Sequence, residues 1–497
     1  MASPSEKLLL AIDQGTTSSR AIAFDLNGIA VATAQRPFSQ IYPRDGWVEH
    51  NPEEIWQTVK TCIESVLSEI GDMSRVAALG ITNQRETTVV WDRKSGDPIG
   101  NAIVWQDRRG AGICRELFDS GYADVIQQKT GLIPDSYFSA TKLQWILNSS
   151  PDIRARAERG DLAFGTIDTF LLWRLTDGQA HLTDATNASR TMLFNIHTQS
   201  WDEELLRHFN IPRALLPDVQ DTASDFGVTA SSLFGCALPI TAMVGDQQGA
   251  LAGQSCFKPG LAKSTFGTGA FVLLNTGEDA ALSRNKLLTT VGYRLNNKTA
   301  YAVEGSVFNA GTIVQWMRDE MGWLDHAADS DKHARSSTND KVVFVPAFTG
   351  LGAPHWDPDA RGALYGLTRD TTQADIVRAG LEAVCFQMND LMAAMHADTG
   401  SRLSLLRVDG GMAANDWLMQ TLADVIGVTI ERPTNLEASV WGAAMLASLG
   451  VGVLTSLEDL ETSRIVDRVF EPSISADQRA TKIEKWNDAV SRTRSIP

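Results

Sequence analysis

Residues 8–24 have the sequence LLLAIDQGTTSSRAIAF, in which two apolar runs flank a short polar turn. This pattern predicts a β-hairpin. A tip that only reverses the chain needs little more than Asn-Gly or Asp-Gly, whereas this one carries Asp13, Gly15 and several hydroxyl groups. Backbone N–H groups around a glycine can converge on a phosphate, and a carboxylate can hold a hydrated divalent cation beside it. The tip is therefore either an ordinary polar turn or a phosphate-binding hairpin.

Length and composition indicate a large globular protein. The chain has 497 residues, beyond the size at which one hydrophobic core stops growing, so we expect two large domains. Apolar residues make up 43% and charged residues 21%. The net charge of −16 disfavours a nucleic-acid partner, because the nucleic-acid backbone is also negative. The sequence has neither a targeting segment nor an apolar run long enough to span a bilayer, so we expect no integral membrane segment.

The cysteines are scattered along the chain and never form a Cys-x-x-Cys pair, which argues against a disulfide framework and against a zinc site. They are Cys62, Cys114, Cys236, Cys256 and Cys385. A reducing compartment, the cytoplasm, fits this pattern best.

The first half begins with three predicted strands, a helix and another strand. Residues 29–34 continue the hairpin as a third strand. Asn51 is a typical N-cap, Glu54 stands where a capping-box acid reaches back, and Gly71 is placed to end the helix. Residues 76–82 then form a buried strand. This order, β-β-β-α-β, differs from the β-α-β start of a dinucleotide-binding fold.

Polar side chains follow several of the predicted strands. Arg85 and Glu86 could bind a polyol, one donating and one accepting hydrogen bonds, or form an exposed ion pair of little consequence. Trp105, after a predicted strand at 101–104, is either a wall for the carbon side of a small substrate or a core residue. Residues 183–189 are interpreted as a polar connection.

Asp246 follows an apolar strand at 239–244 and opens a helix rich in Gly and Ala. A carboxylate at this position is either a helix cap or a catalytic base, and its location must decide. Residues 437–446 form a second such helix. Small side chains permit close helix crossing, so we expect these two helices to meet where the domains join.

The second half repeats the first in outline. Residues 261–274 again give a strand, a Gly/Thr tip and a strand, and two such hairpins make an accidental match much less credible. Residues 304–316 lead from a strand into a helix. Gly410 and Gly411 follow another strand, and the paired glycines either admit a flat ligand or simply connect strand and helix.

Together these pieces resemble the superfamily of actin, hexokinase and heat-shock-chaperone ATPases. Residues 137–149, YFSATKLQWILNS, look like the first signature of the FGGY family of carbohydrate kinases and depart from it only at Ser149. Residues 362–382 look like the second signature. The motifs at 83–88, 104–109 and 245–248 are similar to those of the branch of this family that acts on glycerol. The resemblance runs from Leu8 to about Leu454.

The resemblance implies an α/β fold with two ribonuclease-H-like domains, each a mixed sheet flanked by helices, and an active site in the cleft between them. Residues 1–254 would carry the polyol site and the first phosphate hairpin. Residues 255–497 would carry the second hairpin and the adenosine site. The implied assembly is a homodimer or homotetramer.

The implied reaction is transfer of the γ-phosphoryl group of ATP to glycerol in glycerol catabolism, with Asp246 as general base and Mg²⁺ beside Asp13. The implied nucleotide-binding residues are Thr16, Thr17, Ser18, Arg20, Thr268, Gly311, Gln315, Gly411 and Asn415. The implied glycerol-binding residues are Arg85, Glu86, Trp105, Tyr137, Asp246, Gln247 and Phe271.

Two rival functions differ from this one at the polyol pocket. Another FGGY kinase, for xylulose, ribulose or gluconate, would share the nucleotide site, but Arg85, Glu86 and the Trp105 segment argue against it. A non-catalytic ATPase related to actin or the chaperones would have no need for Asp246 beside Arg85.

The loop at 229–239 bears on regulation. Enteric members of the glycerol branch are inhibited by fructose bisphosphate at a basic, glycine-rich loop in this region, and a Gram-positive group is activated by phosphorylation of a histidine. This loop contains no Lys or Arg, and Ser232 stands where the histidine would be. We therefore expect an enzyme that responds to neither regulator.

Overall fold

The computed structural model describes residues 7–338, 340–355, 357, 359–401, 403–462 and 464–495. They form two large mixed sheets flanked by helices, together with several two-stranded sheets. The mixed α/β prediction is confirmed. Among the described helices, none combines the length and the apolar character needed to cross a bilayer.

The strands are, in chain order, β1 (Leu8–Gln14), β2 (Ser18–Phe24), β3 (Ala30–Pro37), β4 (Glu49–His50), β5 (Val76–Asn83), β6 (Val89–Asp92), β7 (Ala102–Ile103), β8 (Leu162–Gly165), β9 (Leu182–Asp184), β10 (Phe194–Asn195), β11 (Ser200–Trp201), β12 (Asp218–Gln220), β13 (Ile240–Gly245), β14 (Ala262–Phe266), β15 (Ala270–Gly277), β16 (Leu288–Leu295), β17 (Lys298–Val307), β18 (Val343–Val345), β19 (Ala363–Tyr365), β20 (Leu405–Asp409), β21 (Thr429–Pro433) and β22 (Val466–Phe470). The α-helices are α1 (Pro52–Ile70), α2 (Ala111–Asp119), α3 (Ala123–Thr130), α4 (Ser139–Asn148), α5 (Pro151–Glu158), α6 (Ile167–Leu175), α7 (Ala185–Ala188), α8 (Glu203–His208), α9 (Ser231–Phe234), α10 (Asp246–Gly253), α11 (Gly311–Asp319), α12 (Asp329–Ser336), α13 (Gln373–Thr399), α14 (Asp416–Ile426), α15 (Ala438–Gly450), α16 (Leu457–Thr462) and α17 (Ala476–Thr493).

The first large sheet has the strand order β13-β5-β1-β2-β3. β1 and β2 form the predicted antiparallel hairpin, with Asp13 opposite Arg20. β1 is parallel to β5, and β5 is parallel to β13. The carboxyl ends of these three strands therefore meet at one edge of the sheet, which is where ligands bind in sheets of this kind.

The second large sheet has the strand order β16-β17-β15-β14-β20-β21-β22. Its β14 pairs antiparallel with β15 and parallel with β20. This repeats the arrangement of β1 with β2 and β5 in the first sheet. The internal repeat predicted from the two hairpins is confirmed.

Helices α10 and α15 cross at very short distance, as their Gly- and Ala-rich sequences predict. A Cβ atom built on Gly442 would lie 1.8 Å from the carbonyl oxygen of Gly249, and one on Gly253 would lie 2.0 Å from that of Ala438. Helix α15 also lies on the first sheet, since a Cβ on Gly80 would lie 2.3 Å from Ala443 O. The second half of the chain thus covers a face of the first sheet.

Helix α1 begins and ends where the sequence predicts, but the capping-box prediction is wrong. Asn51 caps the helix through its side chain, which accepts from Glu53 N, and Gly71 ends it. Glu54 does not reach back to Asn51. Its Oε1 accepts from the backbone N and the hydroxyl of Ser39, at 2.9 and 3.0 Å, because the loop after β3 brings Ser39 to the first turn of the helix.

Two other local predictions need correction. Residues 183–189 are not a polar connection: they contribute to β9 and form the one-turn helix α7, and they are buried. The Asp184 carboxylate makes this possible, because it accepts hydrogen bonds from Thr186 N and Asn187 N. The strand predicted at 101–104 is only β7, which pairs with the equally short β4.

Candidate active site

Three predicted site residues lie at the carboxyl edge of the first sheet. Asp13 pairs in register with Thr82 of β5, and Gly245 of β13 pairs with Asn83. Arg85 is the second residue after β5, and Asp246 is the first residue of α10. The parallel strands therefore bring together the acid of the first hairpin, the residues at 85–86 and the candidate base.

Arg85 lies at the centre of an ion-pair network. Its Nε is 3.2 Å from Asp246 Oδ1. Its Nη1 and Nη2 donate to the two carboxylate oxygens of Glu304, at 2.5 and 3.1 Å, and Nη1 also donates to Gln248 Oε1 at 3.2 Å. A buried guanidinium needs this charge compensation. Arg85 is thus held rigidly beside Asp246.

Glu86 is paired with an arginine that the sequence analysis did not identify. Arg190 Nε donates to Glu86 Oε1 at 2.6 Å, and Arg190 Nη2 donates to Glu304 Oε1 at 2.9 Å. The contact between Arg85 Nε and Glu86 Oε1 is longer, at 3.9 Å. Arg85 and Glu86 are therefore not an exposed ion pair but parts of one buried network.

A signal for one of the missed residues is present in the sequence. Glu304 is the one charge in the buried stretch 300–305 of β17, and such a charge needs a buried partner. Arg190 gives no comparable signal, because it follows the segment that was interpreted as a polar connection.

The backbone at Glu86 is strained and held by three donors. Its φ is 60°, in the left-handed region that non-glycine residues rarely adopt. Its carbonyl accepts from Ser139 Oγ at 3.0 Å, Thr88 Oγ1 at 3.1 Å and Lys142 Nζ at 3.3 Å. Burial lowers the pKa of Lys142 to about 7. The first family-like signature thus positions Glu86 through Lys142 and Ser139.

Aromatic residues stand beside this network. The rings of Trp105 and Tyr137 meet edge to face with centroids 5.5 Å apart. Trp105 Nε1 donates to Thr16 Oγ1 at 3.0 Å, which joins the aromatic pair to the first hairpin tip. Phe271 lies on β15, half-buried, in register with Thr265 and Ser306. The described contacts bring Trp105 and Tyr137 together and leave Phe271 on the second hairpin.

The carboxylate of Asp246 remains partly open, with 31% of its side chain exposed. Its Oδ1 accepts from Gln247 N at 2.7 Å. Burial raises its pKa above the usual value, while the positive charges of Arg85 and Lys263 oppose this rise. Lys263 Nζ donates to Gln247 Oε1 at 2.5 Å, and burial lowers the pKa of Lys263 to about 8. Asp246 is therefore a candidate base with a raised pKa.

The first hairpin tip presents hydroxyl groups at this edge. Gly15 N donates to Ser18 O at 3.0 Å, which closes the turn. Ser18 Oγ accepts from Gln35 Nε2 at 2.8 Å, and Thr17 is exposed. Arg20, expected on the nucleotide phosphates, forms an ion pair with Glu437, the N-cap of α15. Only Nη1 of Arg20 is in this pair, so its other guanidinium N–H groups could bind a phosphate.

Asp13 suits a magnesium ion that is held largely by water and phosphate. Burial raises its pKa to about 6; Arg20 opposes this rise, and Asp246 and Glu437 add to it. A cation would therefore stabilise its ionised form. In the part of the chain that the structure describes, no group of three or more His, Cys, Asp or Glu side chains could hold a metal ion. Mg²⁺ commonly binds through one or two carboxylates, water and substrate phosphates.

The second hairpin tip is joined to the start of α11. The carbonyl of Thr268 accepts from Ala310 N at 3.1 Å and from Thr312 N at 3.0 Å. A Cβ on Gly311 would lie 2.5 Å from Gly267 O, so only glycine allows this approach.

The remaining predicted nucleotide residues lie on α11 and after β20. Gln315 is exposed on α11. Gly411, in a short 3₁₀ turn, has open space where a Cβ would stand. Asn415 caps α14, accepting from Leu418 N at 2.9 Å. The open space at Gly411 is compatible with a flat ligand, whereas Asn415 has a structural role of its own.

Comparison with known proteins gives consistent matches along the whole chain. Residues 8–253 match the model of the N-terminal domain of the FGGY family of carbohydrate kinases, and residues 262–451 match that of its C-terminal domain. The glycerol kinase of Alcanivorax borkumensis is 56% identical over 486 residues, covering 97% of this chain and 98% of that protein. Glycerol kinase 1 of Pseudomonas aeruginosa is 55% identical, covering 98% and 99%.

Solved structures agree with these matches. The crystal structure of Plasmodium falciparum glycerol kinase with ADP is 38% identical, with a TM-score of 0.93 and 98% of each chain covered. A gluconate kinase from Lactobacillus acidophilus has a TM-score of 0.89 at 22% identity, covering 99% of each chain. The second likeness shows a shared fold only.

Proposed function

The chain belongs to the FGGY family of carbohydrate kinases, and we propose that it transfers the γ-phosphoryl group of ATP to a terminal hydroxyl of glycerol, giving sn-glycerol 3-phosphate. The observation that carries this proposal is the sequence identity of 53–56%, over nearly the whole chain, to several curated glycerol kinases. The pairing of Asp246 with Arg85 at the sheet edge supports it.

Asp246 is the proposed general base. It removes the hydroxyl proton as the glycerol oxygen bonds to the γ-phosphorus and the bond to the bridging oxygen of ADP breaks. Such transfers depend on positioning and charge neutralisation more than on covalent chemistry. Arg85, Glu86 and Gln247 would hold the hydroxyl groups.

The carbon side of glycerol would lie against aromatic rings. The proposed residues are Trp105, Tyr137 and Phe271. Their apolar faces suit the short carbon chain, and together with the buried charges they would exclude water from the reacting groups. Exclusion of water limits the competing hydrolysis of ATP.

The nucleotide would bind between the two hairpin tips. Hydroxyl and backbone groups of the first tip, with Arg20, would contact the phosphates; its residues are Thr16, Thr17 and Ser18. Asp13 would hold Mg²⁺, which when bound neutralises phosphate charge. Residues proposed on the second domain are Thr268, Gly311, Gln315, Gly411 and Asn415.

The proposal extends to the cellular role. All five cysteines are unpaired, and four of them are buried, which supports a reducing cytoplasm as the site of glycerol catabolism. We propose domains at 1–254 and 255–497, assembled into a homodimer or homotetramer.

A panel of acceptors tests the proposed specificity. Purified protein is mixed with ATP, Mg²⁺ and glycerol, xylulose, ribulose or gluconate, and ADP release is measured. We expect glycerol to be used with the highest kcat/KM. Preference for a ketose or for gluconate would assign the chain to another branch of the family, and ADP release independent of every acceptor would indicate a simple ATPase.

A further inference from the structure

Glu304 joins two buried arginines of the first domain from a strand of the second. Its two carboxylate oxygens accept from Arg85 and Arg190, with nitrogen–oxygen distances of 2.5 to 3.1 Å. The side chains of Glu304, Arg85 and Arg190 are 3%, 2% and 0% exposed. Contacts this short between fully buried groups fix their orientation.

The charges balance within the fully buried part of the network, which leaves aside the partly exposed Asp246 beside Arg85. Arg85 and Arg190 carry two positive charges, and Glu86 and Glu304 carry two negative ones. Burial alone raises the pKa of Glu304, but the nearby guanidinium groups of Arg190 and Arg85 more than offset this and lower it to about 2. Removal of this carboxylate would leave buried N–H groups of Arg85 and Arg190 without their acceptor, among the residues proposed to hold glycerol.

The network leaves one acceptor of Glu86 available. Arg190 donates to Glu86 Oε1, whereas no described residue donates to Glu86 Oε2. On the other side, Arg85 Nε faces Asp246. A polyol beside Asp246 would thus meet a fixed acceptor and a fixed guanidinium.

The position of Glu304 links this pocket to the second phosphate hairpin. In the sheet, Glu304 is opposite Leu273, and Val307 on the same strand is opposite Ala270, next to the hairpin tip. The same strand therefore contacts the polyol network at one point and the hairpin at another.

We propose that Glu304 is a positioning residue for the polyol: by binding Arg85 and Arg190 together, it holds Arg85 beside Asp246 and keeps Glu86 Oε2 free for a substrate hydroxyl. This inference rests on the proposed phosphorylation of glycerol. It also means that the polyol pocket is complete only when the second domain contributes its carboxylate.

The test is the steady-state kinetics of Glu304→Gln in the ADP-release assay. The amide keeps the size of the side chain, and its oxygen could still accept from both arginines, as Glu304 Oε1 does. It loses the negative charge, however, and sets an N–H₂ donor against Arg85 Nη1, where Glu304 Oε2 accepts. We expect KM for glycerol to rise about ten-fold or more, because buried donors lose their partner, and KM for ATP to change by less than about two-fold. This split separates positioning of the polyol from a general loss of structure.

Glu431→Gln is the matched control. Glu431 also faces two arginines, Arg464 at 2.7 Å and Arg407 at 3.5 Å, but on β21. We expect this variant to keep both KM values. If Glu304→Gln does not fold, Glu304→Asp replaces it. The shorter side chain keeps the negative charge but holds it farther from the arginines, so we expect KM for glycerol to rise by less than the ten-fold expected for Glu304→Gln, with KM for ATP unchanged.

The possible results separate this inference from the proposed function. The inference is wrong if Glu304→Gln matches the control, if both KM values rise together, or if a folded Glu304→Asp, used when Glu304→Gln fails, keeps the wild-type KM for glycerol. If wild-type protein uses glycerol, these results leave the proposed function intact. A wild-type protein that releases no ADP with glycerol would refute the proposed function, and the role of Glu304 with it.

Discussion

Asp246 is the residue on which the proposed chemistry depends most. Asp246→Asn keeps the shape of the side chain but removes its capacity to accept a proton. We expect kcat to fall by roughly a hundred-fold or more, while calorimetric titration still detects binding of glycerol and ATP. Asp161→Asn, at an exposed pair with Arg159, is the control. Near-normal turnover of Asp246→Asn would contradict the assignment.

The pH dependence of turnover tests the surroundings of Asp246. A general base must be ionised, and burial raises its pKa above 3.8, so kcat should fall on acidification at a higher pH than for a free aspartate. Lys263 lowers this pKa. Lys263→Met should therefore move the acid limb of the kcat profile to still higher pH.

The control for the pH experiment is Lys258→Met. Lys258 is an exposed lysine paired with Glu461, so its removal changes the total charge by the same amount at a distant place. We expect its acid limb to match the wild type. A Lys263→Met profile that stays in place, or moves to lower pH, would rule out this account of Asp246.

Single residues of the site differ in how far the sequence could predict them. Arg85 and Asp246 could be selected because each follows an apolar strand, and polar strand ends meet at one edge of a parallel sheet. Their partners depend on tertiary structure: Glu304 is 219 positions from Arg85, and Arg190 is 104 positions from Glu86. No local pattern encodes such pairings.

At the scale of elements, the crossing of α10 and α15 gives a sharp prediction about stability. A Cβ on Gly442 would lie 1.8 Å from Gly249 O, a backbone atom that cannot move without displacing the helix. We expect Gly442→Ala to cost about 2 kcal/mol or more in free energy of unfolding, measured as a lower urea midpoint.

Gly112→Ala is the matched helical control for Gly442→Ala. On α2, a Cβ at Gly112 would meet only the end of the Arg115 side chain, at 3.9 Å. Alanine is the better helix former by about 1 kcal/mol, so we expect an unchanged or higher midpoint. Equal urea midpoints for Gly442→Ala and Gly112→Ala would contradict this prediction, because they would show that α10 and α15 can move apart without loss of stability.

Elements defined by local chemistry were predictable from the sequence. The two hairpins, the N-cap at Asn51 and the Gly/Ala-rich helices all depend on nearby residues. The capping box failed because Ser39, from another segment, binds Glu54. Residues 183–189 were misinterpreted because their polar groups are satisfied inside the protein, where Asp184 accepts the local N–H groups.

At the scale of the whole molecule, the loop at 229–239 predicts the absence of a regulatory response. The loop forms α9 and a left-handed turn at Gly235 and contributes no basic side chain. We expect fructose bisphosphate at millimolar concentration to give no saturable inhibition of ADP release. Inorganic phosphate at matched ionic strength and free Mg²⁺ is the control. Saturable inhibition beyond that control would mean that basic residues elsewhere in the molecule complete an anion site.

The central claim is that both domains serve one transfer from ATP to glycerol. The most direct measurement is the stoichiometry of products, with ADP, sn-glycerol 3-phosphate and inorganic phosphate determined in the same reaction. We expect one sn-glycerol 3-phosphate for each ADP, negligible inorganic phosphate, and no reaction when Mg²⁺ is chelated. Inorganic phosphate formed in step with ADP, at a rate that glycerol does not change, would contradict the claim.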